Sequence, residues 1–397
     1  MLQKKVAVAM SGGVDSGTAA ASLVKQGYQV TGFYLHLWTE SQSKDFISSK
    51  CCSTESLEAV RKTAALLGIP FHTLNFADLF KEKVVDYFLE EFSRGQTPNP
   101  CIACNKYIKF GRLLDYVLGL GFDFLATGHY SRIATEFKIQ NSKFKIQKAK
   151  LYHLLQGVDK RKDQSYFLYN LTQKRLAHLL FPVGDYTKKE VREMAQKWKL
   201  PVAQRPESQE ICFFPESDYR PFLKRHIKAK IKPGEVVDMK GRVVGEHDGL
   251  PLYTIGQRHG FRVESGIRNP ASAKASTGGQ ESGIILPLYV VGMDVKKNQL
   301  IVGWGKEAER GKFEVEQVNW VIPDVFKAGK LRAQVRIRHQ GELYSCQLRW
   351  QNRKVKVALD EPVRAITPGQ SAVFYLPREA LAKWGCGEDV LGGGIIK

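Results

Sequence analysis

The stretch Lys4-Lys5-Val6-Ala7-Val8-Ala9-Met10-Ser11-Gly12-Gly13-Val14-Asp15-Ser16 decides the fold. Its apolar run is short and ends in a glycine turn, the profile of a strand buried in a parallel sheet. Ser16 to Lys25 follows as a helix, with Ala19, Ala20, Leu23 and Val24 on one face. Working outward, Tyr28–Trp38 reads as a second strand, Leu57–Leu67 as a helix and Pro70–Phe76 as a third strand. Asp78–Phe92 spaces Phe80, Val84, Tyr87, Phe88 and Phe92 along one helical face. Ile108–Leu118 is a further helix and Phe122–Thr127 a further strand. Strands alternating with helices predict an α/β fold, a doubly wound, Rossmann-like parallel sheet covered on both faces. Ligands of such sheets bind beyond the carboxyl ends of the strands.

The turn itself carries chemistry. Gly12 and Gly13 let the backbone approach an anion closely. The helix start behind them offers free N–H groups and a positive dipole end. Ser11 and Ser16 add hydroxyl donors, and Asp15 is assigned either to Mg²⁺ or to capping the helix. The lysine of the Gly-x4-Gly-Lys-Ser/Thr loop is absent, and the glycine spacing is not that of the dinucleotide fingerprint. The run matches instead the pyrophosphate loop of enzymes that cleave ATP between its α and β phosphates.

The chain of 397 residues predicts two or three domains at roughly 100–200 residues each. Past Thr127 the pattern changes. Phe137-Lys-Ile-Gln140 is nearly repeated as Phe144-Lys-Ile-Gln147, which reads as a lengthened basic hairpin or loop. Leu171–Leu200 reads as helical, most clearly over Lys188–Trp198. Beyond about residue 215 short strand-like runs dominate, among them Leu286–Val295, Gln299–Gly303, Phe313–Val321 and Ser371–Tyr375, which suggests a β-barrel or sandwich. The expected division is 1–214 as catalytic domain, 215–284 as a small central unit and 285–397 as a C-terminal β-barrel.

Sixty Lys and Arg against forty Asp and Glu give a net charge of +20, which points to a polyanion, nucleic acid first. Nine basic residues face two acids over 132–162, and Lys327, Lys330, Arg332, Arg336 and Arg338 lie in 326–340 with no acid. Such residues give affinity and salt dependence rather than sequence choice. No apolar run reaches the roughly 18–20 residues of a membrane span, and the N-terminus reads as a strand. A cytoplasmic protein without a membrane partner is expected.

Seven cysteines, Cys51, Cys52, Cys101, Cys104, Cys212, Cys346 and Cys386, make no dense disulfide framework. Thr97-Pro98-Asn99-Pro100-Cys101-Ile102-Ala103-Cys104-Asn105 reads as a proline-stiffened loop, with Cys104 just before a helix whose dipole would favour its thiolate. Zinc would need a second ligand pair, and no second Cys-x-x-Cys exists. A redox pair, or a persulfide site completed by a third cysteine, remain. The third candidate is Cys212, flanked by Ile211, Phe213 and Phe214, although a lone cysteine there is more often a small buried hydrophobe.

Ser11–Ser16, Thr97–Asn105 and Glu210–Phe213 together resemble the tRNA-specific 2-thiouridylases, the MnmA family. Ala126–Tyr130, Lys162–Leu168 and Tyr253–Gly260 agree, so the resemblance spans nearly the whole chain. It implies an enzyme that uses ATP and Mg²⁺ to adenylate C2 of the wobble uridine and replaces its oxygen with persulfide sulfur, releasing AMP and pyrophosphate. It implies Cys104 as nucleophile and Cys212 as persulfide carrier. Ala9, Met10, Ser11, Gly12, Gly13, Val14, Asp15, Ser16, Leu35 and Gly128 would contact ATP. Asn99, Pro100 and Cys101 would meet the target base, and Lys162, Asp163, Gln164, Arg338 and His339 the tRNA. The implied partners are tRNAs reading Lys, Glu and Gln codons and a persulfide sulfur-donor protein, and a monomer is expected. Many relatives carry aspartate where this chain has Cys101, a position proposed for acid–base work. Two other enzyme readings share the loop: an iron–sulfur-dependent thiolase on Cys101, Cys104 and Cys212, and an adenylating ligase or amidotransferase.

Overall fold

The computed structural model describes residues 3–40, 53–142, 145–207, 211–214, 216–263, 287–323, 325, 329–377 and 389–397, with backbone alone over 137–142 and 145–149. Cys51, Cys52, Cys386 and the 268–284 insert lie outside the described residues.

Strand β1 (Lys5–Ala9) is followed by helix α1 (Val14–Lys25), β2 (Gln29–His36), α2 (Thr54–Leu67) and β3 (Phe71–Asn75). With β4 (Phe124–Ala126) and β7 (Leu179–Leu180) these strands form one parallel sheet in the order β3-β2-β1-β4-β7. The chain runs outward from β1 to β3, then crosses to β4 on the other side of β1. The crevice at that reversal lies between the carboxyl ends of β1 and β4, where such sheets bind ligands. The strands are apolar on both faces because helices cover both, and Val6, Ala7, Val8, Leu125 and Ala126 are fully buried.

Two departures from the sequence reading concern helices. Leu179–Leu180 is an edge strand inside the region read as helical, while helix Lys188–Lys197 stands where expected with a Thr187–Glu190 capping box. The cysteine helix begins at Pro100, not near Ile108, and runs through 100–119. Asn99 caps it by accepting from the N–H groups of Cys101 and Ile102, and Pro100 takes the first helical position. Its middle, Cys104–Leu113, is wound as a π-helix, a form that recurs at functional sites.

The repeat becomes an antiparallel hairpin, β5 (Ser131–Ser142) and β6 (Lys145–Gln156), as the sequence suggested. The boundary expected near 285 moves. β8 (Gly234–Val237), β9 (Val243–His247), β10 (Arg262–Val263), β11 (Leu288–Asp294) and β12 (Gln299–Trp304) share one sheet, with β12 parallel to β8. Alternation marks 288–304 as strand without revealing its partner, and the partner is the central unit rather than the barrel. The closed barrel begins with β13 (Glu309–Trp320). It continues through β14 (Lys330–Arg336), β15 (Tyr344–Gln351), β16 (Lys354–Arg364), β17 (Ser371–Tyr375) and β18 (Val390–Ile396), in the order β13-β16-β15-β14-β17-β18.

The barrel core and one face of the parallel sheet form a single apolar cluster, joined through Tyr166, Leu168, Tyr169 and Leu171. A second bond between the two parts is ionic. His153 on β6 and Asp389 before β18 pair at 3.0 Å, both almost wholly buried. The Asp389 hydrogen bond raises the imidazole pKa above its ordinary value, against the opposing pull of burial, and the Asp389 and Glu136 charges add to the rise. A raised folded-state pKa stabilises fully below the unfolded value of about 6.5, and that stability is lost as pH rises through the folded value. The melting temperature of the wild type should therefore exceed that of His153→Gln most clearly at pH 6. The gap should narrow by pH 8, and equal gaps at both pH values would count against the pair.

Candidate active site at the sheet's switch point

The loop after β1 is pre-shaped. Ser11 donates its N–H to Ser16 Oγ at 3.1 Å, and Ser16 Oγ donates to the Gly13 carbonyl at 3.1 Å. Gly12 has φ +79°, a left-handed backbone that disfavours other residues, and a Cβ there would lie 2.6 Å from the Ser56 carbonyl oxygen. Gly128, just past β4, faces the same turn, where a Cβ would lie 2.7 Å from the Ser16 nitrogen. The two strands flanking the reversal thus press one glycine each into the crevice. Leu35 lies near the end of β2, half-buried, and the Met10 side chain is buried beneath the loop, so Met10 can face a ligand only through its backbone.

Asp15 neither caps the helix nor stands free. Gly13 holds the cap position without a side-chain bond, and Asp15 lies in the first turn. Lys188 Nζ donates to both its oxygens, at 2.7 and 2.9 Å, and the Tyr130 hydroxyl donates to Oδ1 at 2.7 Å. A carboxylate engaged in this way does not offer itself to Mg²⁺, and no group of three His, Cys, Asp or Glu suited to a metal occurs among the described residues. The lysine that the loop lacks in sequence arrives from the start of a helix 173 residues later. Arg205 also reaches the loop, donating to the Gly12 carbonyl at 2.9 Å. Neither cation was legible in sequence, because no local pattern ties a residue near 190–205 to a turn at 12–15. Tyr130 lay within a recognised block, but nothing in that block signalled its bond to Asp15.

The cysteine helix packs beside β4, its Phe110 ring 5.5 Å from that of His129 just past the strand. Cys101 holds the second helical position and is exposed, whereas Cys104 lies one turn deeper and is only 8% exposed. The helix dipole acts on the first turn, so its influence falls on Cys101 more than on Cys104, contrary to the expectation from sequence. Cys104 belongs to an apolar cluster with Leu37, Phe80, Phe88, Ile108, Phe213 and Phe214, and Cys212 packs against the same cluster. Phe213 contacts Phe80, Phe88 and Phe222 edge-on, with centroids 5.4–5.9 Å apart, and so pins the Cys212 segment beside the cysteine helix. The four described cysteines are thiols. Cys346 is a core residue of the barrel, its thiol pushed up to about 12 by burial.

The loop before Asn99 is where the three parts of the molecule meet. Thr97 donates its N–H to the Pro368 carbonyl and accepts from Gln370 Nε2, both at 3.0 Å, and its hydroxyl donates to Thr254 Oγ1 at 3.3 Å. Both the barrel and the Tyr253–Gly260 block therefore hold the start of the cysteine helix.

The residues expected at tRNA divide into two sets. Arg338 is exposed, and Lys162 is half-buried and paired with Glu207 at 2.6 Å. Asp163 is 2% exposed. It accepts from the N–H groups of Gly157 and Ser165, from the Ser165 hydroxyl and from Arg336 at 2.9 Å, so it ties the domain to the barrel. Gln164 is spent on Tyr130, with backbone and side chain both bonded to it. His339 lies over the Phe167 ring at 4.2 Å, and burial drives its pKa down to about 4, so it is neutral near pH 7. His129 is buried, shares a 2.6 Å hydrogen bond with Thr127 and is held well below the usual imidazole range by burial.

Loop, reversal and paired glycines first define a class: a HUP-type α/β domain. The family model described as a tRNA methyl transferase HUP domain matches residues 4–216. A PRC-barrel model matches 220–304, and an aminomethyltransferase β-barrel model matches 310–396. The chain belongs to the MnmA family of tRNA-specific 2-thiouridylases. A relative of that name from Carboxydothermus hydrogenoformans is 44% identical over 402 residues, covering 100% of this chain and 98% of its own. Relatives from Moorella thermoacetica and Chloroflexus aurantiacus, with the same name, are 42% and 43% identical, each over 98% of both chains. No helix among the described residues is long and apolar enough to cross a membrane.

Proposed function

We propose that this protein is an ATP-dependent sulfurtransferase that converts the wobble uridine of tRNA to 2-thiouridine. The observation that carries the reading is the pairing of a phosphate-binding turn with two thiols on one apolar cluster. Cys104 and Cys212 are 108 residues apart in sequence, yet both pack on it. Ala9 to Ser16, Leu35 and Gly128 surround ATP. The uridine C2 oxygen attacks the α phosphorus, pyrophosphate leaves, and C2 then carries AMP as leaving group. Backbone N–H groups of the loop, together with Lys188 and Arg205, stabilise charge developing on the phosphates. No step is drawn through Mg²⁺, because Asp15 is already engaged by Lys188.

Sulfur arrives as a persulfide on Cys212. Its terminal sulfur attacks C2 and expels AMP. The Cys104 thiolate then attacks Cys212 Sγ, so the S–S bond breaks toward the uridine and a Cys104–Cys212 disulfide remains, which an external thiol must reduce. Asn99, Pro100 and Cys101 face the target base, which must leave its stack to reach this depth. Arg338 meets the tRNA backbone along with the exposed Lys160 and Arg161, whereas Lys162 is held by Glu207 beside the loop. The tRNA acceptors for Lys, Glu and Gln, a sulfur-donor protein, a monomeric state and a cytoplasmic location belong to the same proposal.

The test is incubation with unmodified tRNA, ATP, Mg²⁺ and a persulfide source, followed by nucleoside mass spectrometry and a pyrophosphate assay. The expected result is 2-thiouridine together with pyrophosphate release that requires tRNA. Pyrophosphate release without any thionucleoside would favour an adenylating ligase.

A further inference from the structure

Beside the loop, three cations converge on one carboxylate. Glu207 accepts from Lys162 Nζ at 2.6 Å and lies 3.3 Å from Lys188 Nζ and 3.4 Å from Arg192 Nη2. Lys188 is only 9% exposed, and its single ammonium bridges Glu207 to Asp15 of the loop. A buried ammonium needs one counter-ion, and Asp15 already supplies it. Lys162 and Arg192 come from different segments, and a surface acid gains little from collecting extra cations. The arrangement suits a group with more charge and more acceptor oxygens than a carboxylate has. Asp159 is the other acid at hand. Its Oδ2 accepts the Lys188 backbone N–H at 3.1 Å and so caps that helix end rather than competing for the side chains.

We propose that Lys162, Lys188 and Arg192 form a subsite for the terminal phosphates of ATP and for the pyrophosphate product, and that Glu207 occupies it as a built-in competitor until phosphate displaces its carboxylate. The proposal rests on the ATP reading above and deepens it. The loop's N–H groups take the phosphate nearest α1, and the three side chains take the one beyond. Glu207 returning to its cations then favours pyrophosphate departure, which draws the adenylation step forward. Burial raises the Glu207 pKa while Lys162 and Lys188 lower it, with a net fall, so the competitor is ionised at neutral pH.

The test measures binding of inorganic pyrophosphate and, separately, of AMP to the full-length protein by calorimetry. Glu207→Gln removes the competing charge and should tighten pyrophosphate roughly tenfold while leaving AMP unchanged. Arg192→Gln, which leaves the Lys188–Asp15 pair in place, should weaken pyrophosphate by a similar factor with AMP again unchanged. The subsite is overturned if AMP binds and neither substitution moves the pyrophosphate affinity, or if AMP and pyrophosphate move together. A wild-type protein that binds neither ligand overturns the ATP reading along with the subsite.

Discussion

Cys104→Ala and Cys212→Ala should each reduce tRNA thiolation by roughly a thousandfold or more, while tRNA-dependent pyrophosphate release should persist in both. The two halves of the reaction draw on different parts of the fold. In the proposed reaction, adenylation draws on the turn at Ser11–Ser16, Gly128 and the cations that reach the turn, whereas Cys104 and Cys212 belong to the apolar cluster around Phe213. Sulfur transfer needs two sulfur atoms, and a methyl group can neither carry a persulfide nor cleave one. Alanine is the informative replacement. Cys104 packs among Phe80, Ile108 and Phe213, where a methyl group suits the apolar surroundings better than a hydroxyl and so keeps a catalytic loss distinct from a folding loss. Pyrophosphate release is assayed beside nucleoside mass spectrometry, and unchanged melting curves establish that the fold survives. Thiolation retained in either variant would remove that thiol from the mechanism. Cys101→Ala separates a further role. Cys101 is exposed at the capped end of the helix, so its loss should leave stability unchanged and report only on acid–base work at the target base.

The parallel sheet was legible because each strand is a short apolar run set off by turns, and because one glycine turn names the strand before it and the helix after it. The loop and both cysteine segments were legible for the same reason: each is a local run with unusual residues. What was lost is what folding brings from a distance. Asn99 and Pro100 spell a helix start, but two prolines read more readily as loop stiffeners, so the helix seemed to begin eight residues late and Cys104 took a position that Cys101 holds. Strands 288–304 alternate as barrel strands do, and only their pairing with 235–237 assigns them to the central sheet. Lys188 sat in plain view as the first residue of a well-capped helix, and no periodicity could connect it to Asp15. The run Lys162–Leu168 was recognised by resemblance, and Lys162, Asp163 and Gln164 within it were assigned to tRNA. The structure turns Asp163, Ser165 and Tyr166 inward and leaves Lys162 paired with Glu207.

That inward turn sets the second large effect. Asp163→Ala destabilises the protein by about 3–5 kcal/mol, because it leaves Arg336 buried without its counter-ion. The pair is 2.9 Å apart with 11% and 1% of the two side chains exposed, so solvent screens it little. The same carboxylate satisfies the N–H groups of Gly157 and Ser165, and their loss adds to the cost. Arg336 keeps its stacking over Tyr375 at 5.2 Å, which holds the orphaned guanidinium in place rather than letting it reach water. The double variant Asp163→Ala/Arg336→Leu removes both charges and should recover a good part of the loss, so a double-mutant cycle in denaturant isolates the pair. A single-variant cost below about 1 kcal/mol would mean that the seam is solvated after all. The effect also reaches catalysis through the backbone. Tyr166 and Tyr169 bond to Ser371, at 2.8 and 3.1 Å, and the turn just before Ser371 holds Thr97 at the mouth of the cysteine helix. A barrel that rides loosely on Asp163→Ala should therefore lower thiolation more than pyrophosphate release, because the barrel holds Thr97 at the start of the cysteine helix while the loop after β1 is held by Lys188 and Arg205.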